Sequence, residues 1–356
     1  MIDIKNLSRE KLKALLLERG YPAYTSQQVF QWVYKNRCED FERMTNIAQP
    51  MRVRLKKDFF CSHPVLLASQ QSGDGTRKFL FELSRDTTIE TVLIPEGQRN
   101  TLCVSTQVGC SRGCRFCVSG TLGLKRNLLP GEIVNQYLAV SDLLVPAKVN
   151  NVVCMGIGEP LDNLGNLIET ITILQDTQGI GLTPRKICVS TIGITSRLAE
   201  LNRLAIRFRL SVSLHCADQK KRDWLMPATK KYPLGELLPQ LRLFAQKKDM
   251  PVTLEYILID GINCEKEDAF KLVAIARKLS CKINVIPYNQ SAYFAYRPPD
   301  PGKIRQFQSI LKDHGIVCTL RTPRGQDIQA ACGQLKAEFN TGHTSHDTRH
   351  TQGMEK

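Results

Sequence analysis

The sequence predicts an α/β fold: a partial (β/α)6 barrel, with a helical accessory domain ahead of it and a short β extension between the two. Three observations carry this. From residue 101 onward short apolar runs alternate with amphipathic stretches, a period-two pattern precedes them from Gln71, and the first 60 residues show helical periodicity. Repeated strand-then-helix order implies parallel strands with right-handed crossovers, hence a sheet or barrel, and six units suit a partial barrel. The expected partition is 1–60 helical, 61–98 β extension, 99–335 barrel with a C-terminal loop, and 336–356 a disordered tail.

In the first part Ser8 can cap a helix carrying Leu12, Leu15 and Leu16, which Gly20 ends, and Ser26 can cap a second with Val29, Phe30 and Val33. A third helical stretch around 44–55 presents Arg43, Arg52, Arg54, Lys56 and Lys57, a solvated face or a phosphate-contacting one. After the turn signal Ser72-Gly73-Asp74-Gly75, Phe79, Phe81 and Leu83 alternate with Lys78, Leu80 and Glu82. In the next strand, 88–94, Glu90 shares a side with Val92 and Ile94. A carboxylate there is either at an exposed edge or partly desolvated, and desolvation would raise its pKa toward that of a general base.

The six apolar runs are 102–105, 151–155, 186–190, 210–214, 252–259 and 283–286, and the amphipathic segments are 131–144, 164–175, 194–204, 234–247 and 266–279. Ligands of such folds bind at the carboxyl ends of the strands, so the residues after each run form a set. That set contains Cys110, Cys114 and Cys117; Gly156-Ile157-Gly158-Glu159-Pro160; Ser190-Thr191-Ile192-Gly193; Ser213-Leu214-His215-Cys216; and Pro287-Tyr288-Asn289. A further strand, 316–320, leads into a loop with Arg321, Arg324 and Cys332. Residues 340–356 have almost no apolar content, and His343, His346 and His350 there are expected to be solvated.

Composition narrows the setting. The chain of 356 residues is 42% hydrophobic and 23% charged, ordinary globular content. Its 49 basic against 34 acidic residues give a formal +15, a field that attracts polyanions, of which nucleic acid is the commonest in the cytosol. Thirteen cysteines spread over a long chain, with no basic-then-apolar start, indicate a reducing cytoplasm and not a disulfide scaffold. No apolar run is long enough to span a bilayer, so a soluble protein without membrane partners is expected.

Cys110, Cys114 and Cys117 stand in one short loop. Three thiolates on an iron-sulfur cube leave one of four irons without a protein ligand, an open site where substrate chemistry can occur. A zinc knuckle completed from elsewhere, or three unrelated core thiols, would satisfy the same spacing.

With Gly158-Glu159-Pro160 after the second strand, this spacing resembles that of the radical S-adenosylmethionine enzymes, whose barrel is TIM-like. The fuller set is Glu90-Thr91-Val92, Thr101-Leu102-Cys103-Val104-Ser105, Gln107-Val108-Gly109-Cys110 and Asp327-Ile328-Gln329-Ala330-Ala331-Cys332-Gly333-Gln334-Leu335. It resembles the RlmN family of dual-specificity RNA methyltransferases, from the first helices to about residue 335. The resemblance implies a [4Fe-4S] cluster on Cys110, Cys114 and Cys117, with the amino and carboxylate groups of S-adenosylmethionine on its open iron. It implies cofactor contacts from Gly158, Glu159, Ser190, Ser213, Leu214, His215 and Asn289. Cys332 would be methylated by one S-adenosylmethionine and lose a hydrogen to the deoxyadenosyl radical of a second, and the methylene radical would add to carbon 2 of adenine. Glu90 would remove the ring proton, and Cys103 would attack Cys332, forming the disulfide that releases methylated RNA.

The implied partners are 23S ribosomal RNA, at an adenosine of the peptidyl-transferase centre, transfer RNA, and a reductant such as flavodoxin, with the protein a monomer. Two other readings remain at this stage: the related Cfr type, which methylates adenine carbon 8, and a non-catalytic RNA-binding protein with a structural metal or cluster. Ile94-Pro95-Glu96 and Gly158-Glu159-Pro160-Leu161 resemble RlmN better, and a structural cluster needs no Cys332 beside Cys103. The chain departs from the family's pattern at Cys216-Ala217-Asp218 and at Asn289-Gln290-Ser291-Ala292-Tyr293-Phe294.

Overall fold

In the computed structural model, which describes residues 1–84 and 87–337, the chain begins with β1 (Ile2–Asp3) and three helices, α1 (Arg9–Glu18), α2 (Thr25–Tyr34) and α3 (Gln49–Asp58), before β2 (Phe59–Phe60) returns to pair parallel with β1. Leu12, Leu16, Val29, Phe30 and Leu55 form their core, which continues into Val134, Leu138 and Ile173 of the barrel helices. Lys5 welds the junction: fully buried, it donates to Asn135 Oδ1 (2.7 Å) and the Ser62 carbonyl (2.8 Å) and pairs with Glu39.

The helix expected around 44–55 starts later, because Met44 and Ile47 are buried in the preceding loop and Pro50 fits only a first turn. Ser8 stands at the N-cap of α1 without a side-chain cap bond, its N–H going instead to Glu169 Oε1 (2.6 Å). Ser26 lies inside α2 and donates to the Ala23 carbonyl (3.1 Å).

The β extension comprises three antiparallel strands, β3 (Val65–Gln71), β4 (Arg77–Ser84) and β5 (Thr87–Glu96). Both faces of β4 are covered, so Lys78 and Leu80 are buried as well as Phe79 and Phe81. β5 pairs with β6 (Arg99–Cys103), the first barrel strand, after which β7 (Gln107–Cys110) and β8 (Gly123–Asn127) form a separate hairpin. Then α4 (Pro130–Asp142), β9 (Asn151–Cys154), α5 (Leu164–Gln175), β10 (Ile187–Thr191), α6 (Thr195–Leu201) and β11 (Arg209–Ser213) follow. The chain continues through α7 (Gln219–Leu225), α8 (Leu234–Lys248), β12 (Val252–Leu258), α9 (Lys266–Ala276), β13 (Cys281–Pro287), α10 (Pro301–Asp313) and β14 (Cys318–Leu320).

One ten-stranded sheet results, in the order β14-β13-β12-β11-β10-β9-β6-β5-β4-β3, parallel from β14 to β6 and antiparallel beyond. Six strand–helix units and a closing seventh strand thus share a sheet with the extension. Leu102, Val152, Val189, Leu210, Leu254 and Ile283 form the layer between strands and helices. Of the tail expected to be disordered at 336–356, Lys336 and Ala337 are described and donate their backbone N–H groups to Glu90, while residues 338–356, with the three histidines, lie outside the described residues.

Candidate active site

The loop between β7 and β8 brings three cysteines to one place. Its base is tight: Gly109 has φ 77°, and a Cβ there would lie 1.8 Å from the Gly123 carbonyl oxygen, so only glycine lets the two strands meet. Cys110 ends β7, Cys117 N–H donates to the Cys114 carbonyl (3.1 Å), Arg115 N–H to the Leu225 carbonyl (2.9 Å) and Val118 N–H to the Gly333 carbonyl (2.8 Å). The Arg115 guanidinium lies 4.9 Å over the Trp224 ring, so α7 and the C-terminal loop both brace this segment.

All three thiols line one cavity. Burial pushes Cys110 up to about 11, Cys114 well above the thiol range and Cys117 up as well, so each thiol is neutral until a metal draws off its proton. Among the described residues no three His, Cys, Asp or Glu side chains converge on one point as the ligands of a single ion do. Three thiols on the wall of one cavity suit a cube, which takes each protein ligand on a separate iron.

The facing wall comes from the strand ends. Gly158 has φ 106° and stands against Gln107, whose Cβ would be 2.6 Å from an added Cβ. Packing against Gln107 is what requires glycine there, and Gly158 also lines the cavity. Glu159 follows, buried, with Oε1 accepting from Leu161 N (3.0 Å) and Oε2 from Ile192 N (2.9 Å). Burial pushes its carboxyl up to about 7 against the opposing pull of those bonds. Ser190, Ser213 and His215 line the same cavity. His215 accepts from Ile257 N at Nδ1 (3.1 Å), which places its proton on Nε2, and packs edge-on to Phe116 at 4.8 Å. Burial, then the charge of Arg222, brings its pKa down to about 3, so the ring is neutral. Leu214 differs from the other expected contacts: its side chain is fully buried in the core and lines no part of the cavity.

Cys332 lines this cavity too, and also a second one inside the barrel. Asn289 lines the second cavity only, and its Nδ2 donates to the Cys332 carbonyl (3.4 Å) while Oδ1 accepts from Gln326 (2.9 Å). The loop is held from the other side by the β3–β4 turn: Asp74 Oδ2 accepts from Gly325 N (2.9 Å) and Asp327 Oδ2 from Gly73 N (3.3 Å). Cys103, at the end of β6, is buried beside this loop, and desolvation with the neighbouring Cys332 pushes its thiol up to about 12. Both are free thiols.

Glu90 is neither at an edge nor alone among aliphatics. It is fully buried, ion-paired with Lys78 (3.0 Å), with Oε2 accepting from the backbone N–H groups of Lys336 (2.7 Å) and Ala337 (2.9 Å). It lines neither cavity.

Glu255 and Arg321 line both cavities, although neither is among the site residues expected from the sequence. Glu255 carries a legible signal, a carboxylate inside the apolar run 252–259. For Arg321 the position directly after the last strand is the available sign.

Residues 2–60 match the family model of the ribosomal RNA large subunit methyltransferase N-terminal domain, and residues 104–273 that of the radical SAM superfamily. The dual-specificity RNA methyltransferase RlmN of Desulfotalea psychrophila is 43% identical, covering 96% of this chain and 96% of its own. The protein of that name from Desulfosudis oleivorans is 42% identical, over 95% of this chain and 91% of its own. The crystal structure of a radical SAM methyltransferase from Sphaerobacter thermophilus matches with a TM-score of 0.89 at 36% identity, covering 95% of this chain and 100% of that one.

Proposed function

This chain belongs to the RlmN family of radical S-adenosylmethionine RNA methyltransferases, and from that premise we propose that it methylates carbon 2 of adenosine in 23S ribosomal RNA and transfer RNA, with Cys332 as the carrier of the methyl group. The observation that carries the reading is Cys332 on the wall of the very cavity that Cys110, Cys114 and Cys117 line. Cys154 also lines that cavity but is buried at the end of β9, whereas Cys332 is exposed on a separate loop, where a structural cluster has no use for a further thiol.

When bound, a [4Fe-4S] cluster on the three loop cysteines and S-adenosylmethionine supply the radical chemistry that an electron-poor ring carbon requires. The protein's part is binding, orientation and protons. Gly158 presents its backbone to the methionyl amino group, and Glu159, once ionised, holds its ammonium. Ser190, Ser213, the 214 backbone and the Nε2–H of His215 offer hydrogen bonds to the rest of the cofactor. Asn289 keeps the Cys332 backbone in register.

Cys103 is the thiol that attacks Cys332 sulfur to free the product, and as a thiolate it must form against its burial. Arg321, whose charge acts on both cysteines, favours that ionisation. Glu90 takes the ring proton, for which the 336–337 backbone has to move off its carboxylate. A flavodoxin-type reductant, a monomeric state and the cytoplasm complete the reading; no described helix is long and apolar enough to cross a membrane.

An anaerobic assay of the reconstituted protein with both RNAs, followed by nucleoside mass mapping, tests it. We expect 2-methyladenosine. A methyl on carbon 8, or none on either RNA, would refute the reading.

A further inference from the structure

Arg222, on α7, is the largest fully buried side chain among the described residues, and the functions assigned so far make no use of it. It stands directly behind the wall of the cofactor cavity. Nη2 donates to the carbonyl of Ile192 (2.6 Å), a lining residue whose own N–H binds Glu159, and Nη1 donates to the Tyr232 carbonyl (3.2 Å). Nε is buried too and has no partner among the described residues. The carboxylates of this region are engaged elsewhere: Asp223 accepts from Gln219 (2.7 Å) and Thr229 (3.1 Å), Asp218 pairs with Lys271 (2.7 Å) and Asp268 with Lys221 (2.7 Å). No ion pair among the described residues therefore includes Arg222.

A buried charge is costly to leave unpaired, and a guanidinium cannot readily shed its proton to escape that cost. Burial brings its pKa down only to about 10, so it remains a cation at physiological pH. The charge reaches Cys114 of the cysteine loop and His215 of the cavity wall. Other arginines near the cavity are already answered: Arg112 is paired with Asp162 (2.7 Å), Arg115 is exposed, and Arg321 faces Glu255 and the Cys103–Cys332 pair. What the site lacks is the anion. An oxidised cube with three thiolates carries one net negative charge and, once reduced, two, and net charge is among the properties that set its potential.

Resting on the cluster reading above, we propose that Arg222 is the fixed counter-charge of the iron-sulfur cluster, a positioning residue that favours the cluster's reduced form and so brings its potential within reach of a flavodoxin-type donor. One electron leaves the donor's reduced flavin and enters the cluster, and no proton has to follow. The added negative charge meets a cation already held in place by two carbonyls, so nothing needs to reorganise when the electron arrives.

The test is a redox titration of reconstituted holoenzyme, followed by electron paramagnetic resonance at equal iron content. Arg222→Gln keeps a donor for the Ile192 carbonyl but removes the charge, whereas Arg222→Lys keeps the charge and gives up the planar fork. The Gln variant should lower the one-electron reduction constant about tenfold, which is about 59 mV for such a couple, while the Lys variant stays within about threefold of the unaltered protein. An unshifted potential in the Gln variant overturns the proposal, and so does a Lys variant that falls as far as Gln, since hydrogen bonding and not charge would then set the potential. If Gln takes up no cluster while Lys does, the charge is needed for the cluster itself, as proposed. If neither variant takes up iron, the guanidinium serves folding alone and the proposal fails. An unaltered protein that binds no [4Fe-4S] cluster overturns the underlying reading instead.

Discussion

At Glu159 the carboxylate is buried yet satisfied by two backbone N–H groups, and burial dominates, raising its pKa to about 7. Below that pH the group is neutral and cannot pair with an ammonium; above it the anion is present. S-adenosylmethionine binding to the holoenzyme should therefore weaken about tenfold per unit as pH falls below 7 and level off above it. Isothermal titration from pH 5.5 to 8.5 checks this, and Glu159→Gln should remove the pH dependence. Residue types of this kind were legible in the sequence because the chemistry repeats at each strand end: cysteines, Gly158-Glu159, Ser190, His215. Glu90 was legible as a candidate but not in its setting. Its partner Lys78 lies across an antiparallel pair and its backbone donors 246 and 247 residues away, contacts that only the folded chain creates.

Among the elements, the β3–β4 turn has a task beyond ending two strands. Its Asp74 is opposed by burial, but bonds from Thr76, Gly325 and Ser72 hold the carboxyl down at about 2, so it is an anion latched onto the Cys332 loop at any physiological pH. Asp74→Ala should free that loop: faster hydrogen exchange at the Gly325 amide, a loss of about 1–3 kcal/mol from a charge-assisted bond, and methylation down at least tenfold with iron content unchanged. Unaltered exchange at Gly325 would show that the turn holds nothing. The alternation in 77–83 made the strand legible and Ser72-Gly73-Asp74-Gly75 made the turn legible. Neither could show that the turn meets residues 325–327, because that contact joins segments some 250 residues apart. The late start of α3 has a similar cause: Met44 and Ile47 look helical in sequence, but their burial under the helical core holds that segment as loop.

For the whole molecule, the six-unit order was legible because strand and helix periods alternate cleanly from 101 onward, while the closing strand β14 and the continuity of barrel and extension in one sheet are long-range pairings. The helical part is joined to the barrel through a common apolar core and through Lys5. Lys5→Met should strand Asn135 and Glu39 and cost about 1–3 kcal/mol, read as an early transition of residues 1–60 in urea unfolding. A single unshifted transition would place the junction's strength in its apolar contacts alone. The proposed activity turns on one sulfur, that of Cys332, which lines two cavities. The most direct measurement is therefore mass spectrometry of RNA incubated anaerobically with reductant, S-adenosylmethionine and either the unaltered protein or Cys332→Ala at equal iron content. The account predicts one methyl on carbon 2 of adenosine from the first and none from the second; methylated RNA from Cys332→Ala would contradict it.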